Sequence, residues 1–189
     1  MSKNNKENQK KFARNLLLFL GLFLFLATWS FLVYKFGADG LVERIGINNG
    51  YLLIFAIGIS GGLSGLSAPS FIAVLTTFAA GGSNPFLLGL IGGTALFAGD
   101  SLFFYLGVKG RSLLSSFLEE KLKKFSGFVK NRSIWFVRIF IFLYFSFAPL
   151  PNDLITIPLG LARFEYKKLI IPAWLGNINF VLWVSLIFA

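Results

Sequence analysis

The chain contains no cysteine and no histidine. Disulfides, thiolate nucleophiles, imidazole bases and the usual zinc-ligand sets are excluded together. Acidic residues are scarce as well: eight Asp and Glu face eighteen Lys and Arg in 189 residues, for a net charge of +10. Spread over one face, such an excess suits nucleic acid, but here the basic residues stand in blocks beside long uncharged runs. In such a chain they report membrane topology first. What the sequence has in excess is apolar surface: 56% of its residues are hydrophobic and 24 are Phe, more than a soluble core of this length absorbs. No nucleic-acid partner, cofactor or metal is expected.

Apolar runs occupy about 16–34, 51–82, 85–108, 133–162 and 169–189. The first, Leu16 to Tyr34, is nineteen residues without a charge, long enough at ~1.5 Å per residue to cross a ~30 Å hydrocarbon core. A cleaved signal peptide would have a shorter apolar stretch ending at a small-residue site. Five simple crossings from a cytoplasmic N-terminus would put the basic segment 109–132 outside, against the positive-inside bias. If 51–82 and 133–162 instead enter and leave on one side, every basic block becomes cytoplasmic and only the charge-neutral 35–50 faces out.

Local sequence agrees with that second topology. GISGGLSGLSAPS (58–70) and SFAPLPNDLITIPLG (146–160) interrupt their apolar runs with Gly, Ser and Pro, which disfavour a continuous helix. The arms on either side are each too short to span a bilayer. The expected fold is an all-α integral membrane protein. It has about three full transmembrane helices (16–34, 85–108, 169–189), two opposed re-entrant helical hairpins (51–82, 133–162), and a cytoplasmic amphipathic helix at 112–131, where Leu114, Leu118, Leu122, Phe125 and Val129 form a stripe. A basic tail (1–15) precedes the first helix, a loop (35–50) follows it, and 51–189 form one domain. The expected location is the cell membrane, with a cytoplasmic N-terminus.

Only two carboxylates lie inside apolar runs, Asp100 and Asp153. An ionisable residue at membrane depth is a functional candidate by default. Asp100 suits either a proton site or a structural tie to exposed hairpin backbone. Asp153, or Asn152 before it, is placed to cap the helix that starts near Leu154. Arg138 fits a snorkelling side chain or a partner for a phosphate or an aspartate, and Arg163 an interfacial anchor.

The run FAGDSLFFYLGVKGR (97–111) resembles the G-D-x-x-x-Y-x-x-G-x-x-G pattern of the DedA/VTT family, also called SNARE-associated Golgi proteins, through Gly99, Asp100, Tyr105, Gly107 and Gly110. Tyr105 stands one residue later than in some members. FAPLPNDLITIPLGLARFEYKKLIIPAWLGN (147–177) is similar to that family's second motif through Pro149, Pro158 and Gly160. The resemblance covers about residues 50 to 185. It implies a lipid transporter or scramblase, acting on phospholipid or polyprenyl-phosphate lipids. It further implies a substrate cleft at the hairpin tips, with Asp100, Asn152, Asp153, Pro149, Pro151, Pro69, Ser67, Ser70 and Arg138 as candidate residues and membrane lipids, with protons, as partners. Bacterial members carry an acidic residue beside the first hairpin's proline and arginines beside the second's. Here Ser67, Ala68 and Ser70 flank Pro69, and Ser146 and Asn152 stand where those arginines would be. The other readings are a proton-coupled exporter of small cationic or amphipathic compounds, an enzyme using the two carboxylates, and a structural membrane protein. Without a nucleophile motif, non-enzymatic function is expected.

Overall fold

The computed structural model describes residues 3–61, 68–110, 132–148 and 151–189, with side chains described from Leu17 onward except at 18, 19, 22 and 61. The segment 112–131, the tip 62–67 with Ser67, and Pro149 lie outside the described residues. Within them the chain forms seven helices and no strand: α1 (Lys3–Ile45), α2 (Ile47–Gly61), α3 (Ala68–Ala80), α4 (Pro85–Gly110), α5 (Ile134–Phe147), α6 (Asp153–Leu161) and α7 (Tyr166–Phe188). Two of them, α4 and α7, are long and apolar enough to cross a membrane.

Local chemistry sets most of the ends. Pro69 and Pro85 stand in the first turns of α3 and α4, where a missing N–H costs nothing. Asn84 caps α4, its Oδ1 accepting from the N–H of Phe86 at 2.9 Å and of Leu87 at 3.4 Å. Helix α5 stops at Ala148, just before Pro149. The region 35–50 is a correction to the sequence reading: it is helical rather than a loop. Gly37, at φ 71°, breaks α1 there, and the helix then continues so that Leu41 and Val42 bury against the end of α3. Apolar burial outweighs the charges of Lys35, Asp39 and Glu43 in that stretch. Helix α7 also starts earlier than 169, at Tyr166, because Phe104 and Tyr105 of α4 pack against that ring.

The central pair is α4 and α7, packed antiparallel. Going up α4, Gly89 meets Leu182, Gly93 meets Ile178, and Ser101 meets Tyr166. A Cβ on Gly93 would stand 2.5 Å from the Ile178 Cα, so only a glycine allows this approach. Around the pair the remaining helices fall into two equivalent sets. Helix α2 packs on α4 as α5 packs on α7, and α3 packs on α7 as α6 packs on α4.

This equivalence holds at the level of single residues. Helices α3 and α6 end in the same motif: Gly82 (φ 80°) and Arg163 (φ 53°) take the left-handed conformation. The following N–H closes on Phe78 O from Ser83 at 3.0 Å, and on Leu159 O from Phe164 at 2.9 Å. Each pair is 81 residues apart (82 to 163). With that spacing the buried positions Leu88, Gly92, Ala95, Leu96, Asp100 and Phe104 of α4 map onto Leu169, Ala173, Gly176, Asn177, Val181 and Ser185 of α7, all buried. A second spacing of 87 (47 to 134) aligns the buried Gly50, Ile54 and Gly58 of α2 with Val137, Ile141 and Phe145 of α5. The buried positions of 47–110 therefore recur in 134–188 in inverted orientation across the α4–α7 crossing, although among the described residues α2 packs on α3 and α5 makes no comparable contact with α6. Helix α1 adds to the first repeat, where Trp29 Nε1 donates to Thr77 Oγ1 across a buried contact of 3.0 Å.

Candidate functional site

The run from Ile45 to Val108 contains one charged residue, Asp100, and the run from Ile139 to Ala162 contains one, Asp153. The fold brings both to the tip of the second helix pair. Asp100 is 2% exposed on α4, and its Oδ2 accepts two amide donors, Asn177 Nδ2 at 2.7 Å and Asn152 Nδ2 at 2.9 Å. Asn152 Nδ2 also donates to Asn177 Oδ1 at 3.0 Å. The three side chains thus close a triangle that ties α4, the start of α6 and α7 together. In a dry interior these bonds fix the tip to the central helices.

The triangle leaves acceptors unused. Asp100 Oδ1, Asp153 Oδ1 and Ser146 Oγ are buried with no partner. Asp153 lies within electrostatic reach of Asp100 and of the Tyr144 hydroxyl. Ser146, in the last turn of α5, is 2% exposed. Tyr144 holds the tip itself, donating its hydroxyl to Pro151 O at 3.1 Å. Each buried polar atom without a partner costs about 1–3 kcal/mol; Ser83 Oγ and Ser185 Oγ, away from this tip, are also buried without one.

Several expected residues change role here. Asn152 occupies the N-cap position of α6 with no side-chain cap bond; its backbone is helical (φ −64°, ψ −25°) rather than extended, and its Nδ2 donates to Asp100 and Asn177. Asp153 is the first residue of α6; its Oδ1 is buried without a partner. Arg138 is not at the tip: it lies two turns earlier on α5, with its guanidinium over the Trp135 ring at 5.5 Å. Pro151 is exposed, as is Pro69, while Ser70 is buried on α3. Of the glycine motif, Gly107 and Gly160 seat α6 on α4. A Cβ on Gly160 would fall 2.1 Å from Phe104 O, and one on Gly107 would fall 2.5 Å from Ile157 O. Gly99 is buried, Tyr105 packs on Tyr166 at 5.1 Å between ring centroids, Gly110 has open space around it, and Pro158 lies inside α6.

Asn177 is the functional-site residue that sequence reading missed. Its signal was present: an amide in the middle of an otherwise apolar span, in WLGNINF (174–180), needs a buried partner. Two further cross-helix bonds line the same face, Trp174 Nε1 to Thr94 Oγ1 at 3.0 Å and Tyr166 Oη to Ser101 Oγ at 2.7 Å. Among the described residues no cluster of acidic side chains is fit to hold a metal ion.

The repeat supplies an internal control. At the spacing of 81, Asp100, Asn152 and Asn177 correspond to Val181, Phe71 and Leu96. Those three are buried together in one apolar cluster; a Cβ on Gly92 would touch Val181 at 3.0 Å and Phe71 at 3.2 Å. One half-site is polar with unused acceptors, and its counterpart is hydrocarbon. Comparison of the chain with family models, curated proteins and solved structures gives no match.

Proposed function

We propose that the protein is an integral membrane transporter or scramblase that moves lipids between leaflets, with the headgroup passing the tip of the second helix pair while the tails stay in hydrocarbon. The observation that carries this is the buried polar half-site at Asp100, Asn152 and Asn177 with its unpartnered acceptors. From the basic end of the bundle, nine residues of α4 (Asp100 to Lys109) put that site ~13 Å deep, near the middle of a ~30 Å core. Broken helices are tolerated at that depth only where protein or water meets their backbone, and transporter sites are commonly built so. The two helix pairs, α2–α3 and α5–α6, are then re-entrant hairpins entering from opposite faces. The DedA/VTT resemblance points the same way, to phospholipid or polyprenyl-phosphate lipids. The N-terminal tail faces the cytoplasm of a cell membrane in this reading, by the positive-inside rule.

Reconstitution tests it. Purified protein in liposomes should make fluorescent phospholipid in the inner leaflet accessible to an external quencher at least ~10-fold faster than in protein-free vesicles. No acceleration with any phospholipid or with a polyprenyl phosphate would reject it. A second reading, export of small cationic compounds, is favoured by one fact: the half-site offers acceptors with no basic residue between Arg138 and Arg163. Resistance to cationic toxins that depends on Asp100, with lipid exchange absent, would select it.

A further inference from the structure

The groove between α5 and α7 is separate from the triangle, and its two ends differ in chemistry. Both helices run parallel there, Phe145 meeting Gly176 near the tip and Trp135 standing beside Lys167 near the start. Their N-termini therefore open side by side at the basic end. The groove has a volume of about 370 Å³, within the range of small-molecule sites. Its floor is apolar, Phe142, Ile171 and Leu175 among others, and its rim carries Arg138, Lys167 and Lys168. Lys168 is paired with Glu165. Arg138 and Lys167 have no carboxylate partner among the described residues, so the rim keeps a net positive charge. Two helix N-termini add to it.

The other repeat lacks this feature. At the spacings of the repeat, Arg138 corresponds to Tyr51, Lys167 to Phe86 and Lys168 to Leu87. There the mouth is closed instead, with Asn84 N–H donating to Tyr51 Oη at 3.3 Å. The cationic, open groove is a property of one repeat and of one end of the bundle.

We propose that this groove is a binding site for an anionic phospholipid, with its phosphate held by Arg138 and Lys167 and one acyl chain lying on Phe142, Ile171 and Leu175. A free phosphate would use the rim and leave the floor wet. A zwitterionic lipid would fill the floor and bring no net charge to the rim. From Lys167 to Leu175 the slot runs ~12 Å along α7, room for part of an acyl chain below a headgroup at the interface, as in basic pockets between membrane helices. The site does not rest on transport and uses none of the triangle's residues.

Native mass spectrometry of the detergent-purified full chain tests it, with phosphatidylglycerol, phosphatidylcholine and inorganic phosphate as probes. Phosphatidylglycerol should bind at least ~10-fold more tightly than phosphatidylcholine. Arg138→Gln with Lys167→Gln should remove that preference, Arg138→Lys with Lys167→Arg should keep it, and Leu175→Trp should weaken binding by filling the slot. Equal binding of the two lipids, competition by inorganic phosphate at lipid concentrations, or lipid binding insensitive to both the rim and the slot variants would overturn the proposal. So would a Leu175→Trp change in oligomeric state with lipid binding intact, which would make a second copy the occupant. If the glutamine pair fails to fold, the charge-keeping pair together with Leu175→Trp decides.

Discussion

The two repeats share a backbone plan and differ in what they bury. The first repeat closes its tip-side core with Phe71, Leu96 and Val181, and α1 braces it through Trp29 and Thr77. The second, without α1, fixes the corresponding place with a carboxylate and two amides. Hydrocarbon fills one half at this position, whereas the other is held by directional bonds among Asp100, Asn152 and Asn177. The comparison teaches that the fold does not require a polar site at this position. The first repeat reaches the same packing without one, so the aspartate and asparagines are not explained by architecture.

Breaking the polar half directly should have the largest effect. Asp100→Ala leaves the Asn177 amide N–H buried without its acceptor, at about 1–3 kcal/mol, and leaves Asn152 Nδ2 with Asn177 Oδ1 alone. Transport should fall to the protein-free background and the melting temperature should drop, read by liposome assay and by thermal unfolding in detergent. Gly160→Val comes next: its Cβ has no space against Phe104 O, and overpacking of this kind costs about 1–3 kcal/mol or more. Gly82→Val, at a left-handed position with open space, sharpens this by separating backbone strain, of order 1–3 kcal/mol, from collision. Asn177→Leu, which copies Leu96, removes one donor from Asp100 and leaves Asn152 Nδ2 without one acceptor. It should slow lipid exchange ~10-fold while the protein stays folded, as one buried hydrogen bond contributes about 0.5–1.5 kcal/mol. Trp174→Phe is the smallest, losing only the bond to Thr94, with a stability change of about 1 kcal/mol and exchange kept.

Much of this fold was legible in the sequence. The uncharged runs located α4 and α7, and the Gly, Ser and Pro clusters located both tips, because backbone breakers in an apolar run have few other uses. Asp100, Asn152 and Asp153 stood out since a carboxylate or amide in such a run needs a reason. The repeat was hidden because its sequence signal is size rather than identity. Ala79 and Gly160, Gly81 and Ala162, Gly92 and Ala173, Ala95 and Gly176 exchange one small residue for another wherever helices approach closely. Helix α1 past Gly37 was misread as a loop because its charges masked Leu41 and Val42.

The central claim is that the polar half-site, and not the shared fold, carries lipid movement. Making that half apolar tests it most directly, since removing all partners of a buried hydrogen-bond network together is far milder than removing one. Asp100→Val and Asn177→Leu copy Val181 and Leu96, and Asn152→Leu keeps the volume of Asn152 better than the Phe71 of the counterpart would. The measurement is transbilayer lipid exchange in liposomes by the triple variant, purified as a monodisperse, folded protein. The account predicts exchange at the protein-free background. Exchange at the unaltered protein's rate would contradict it.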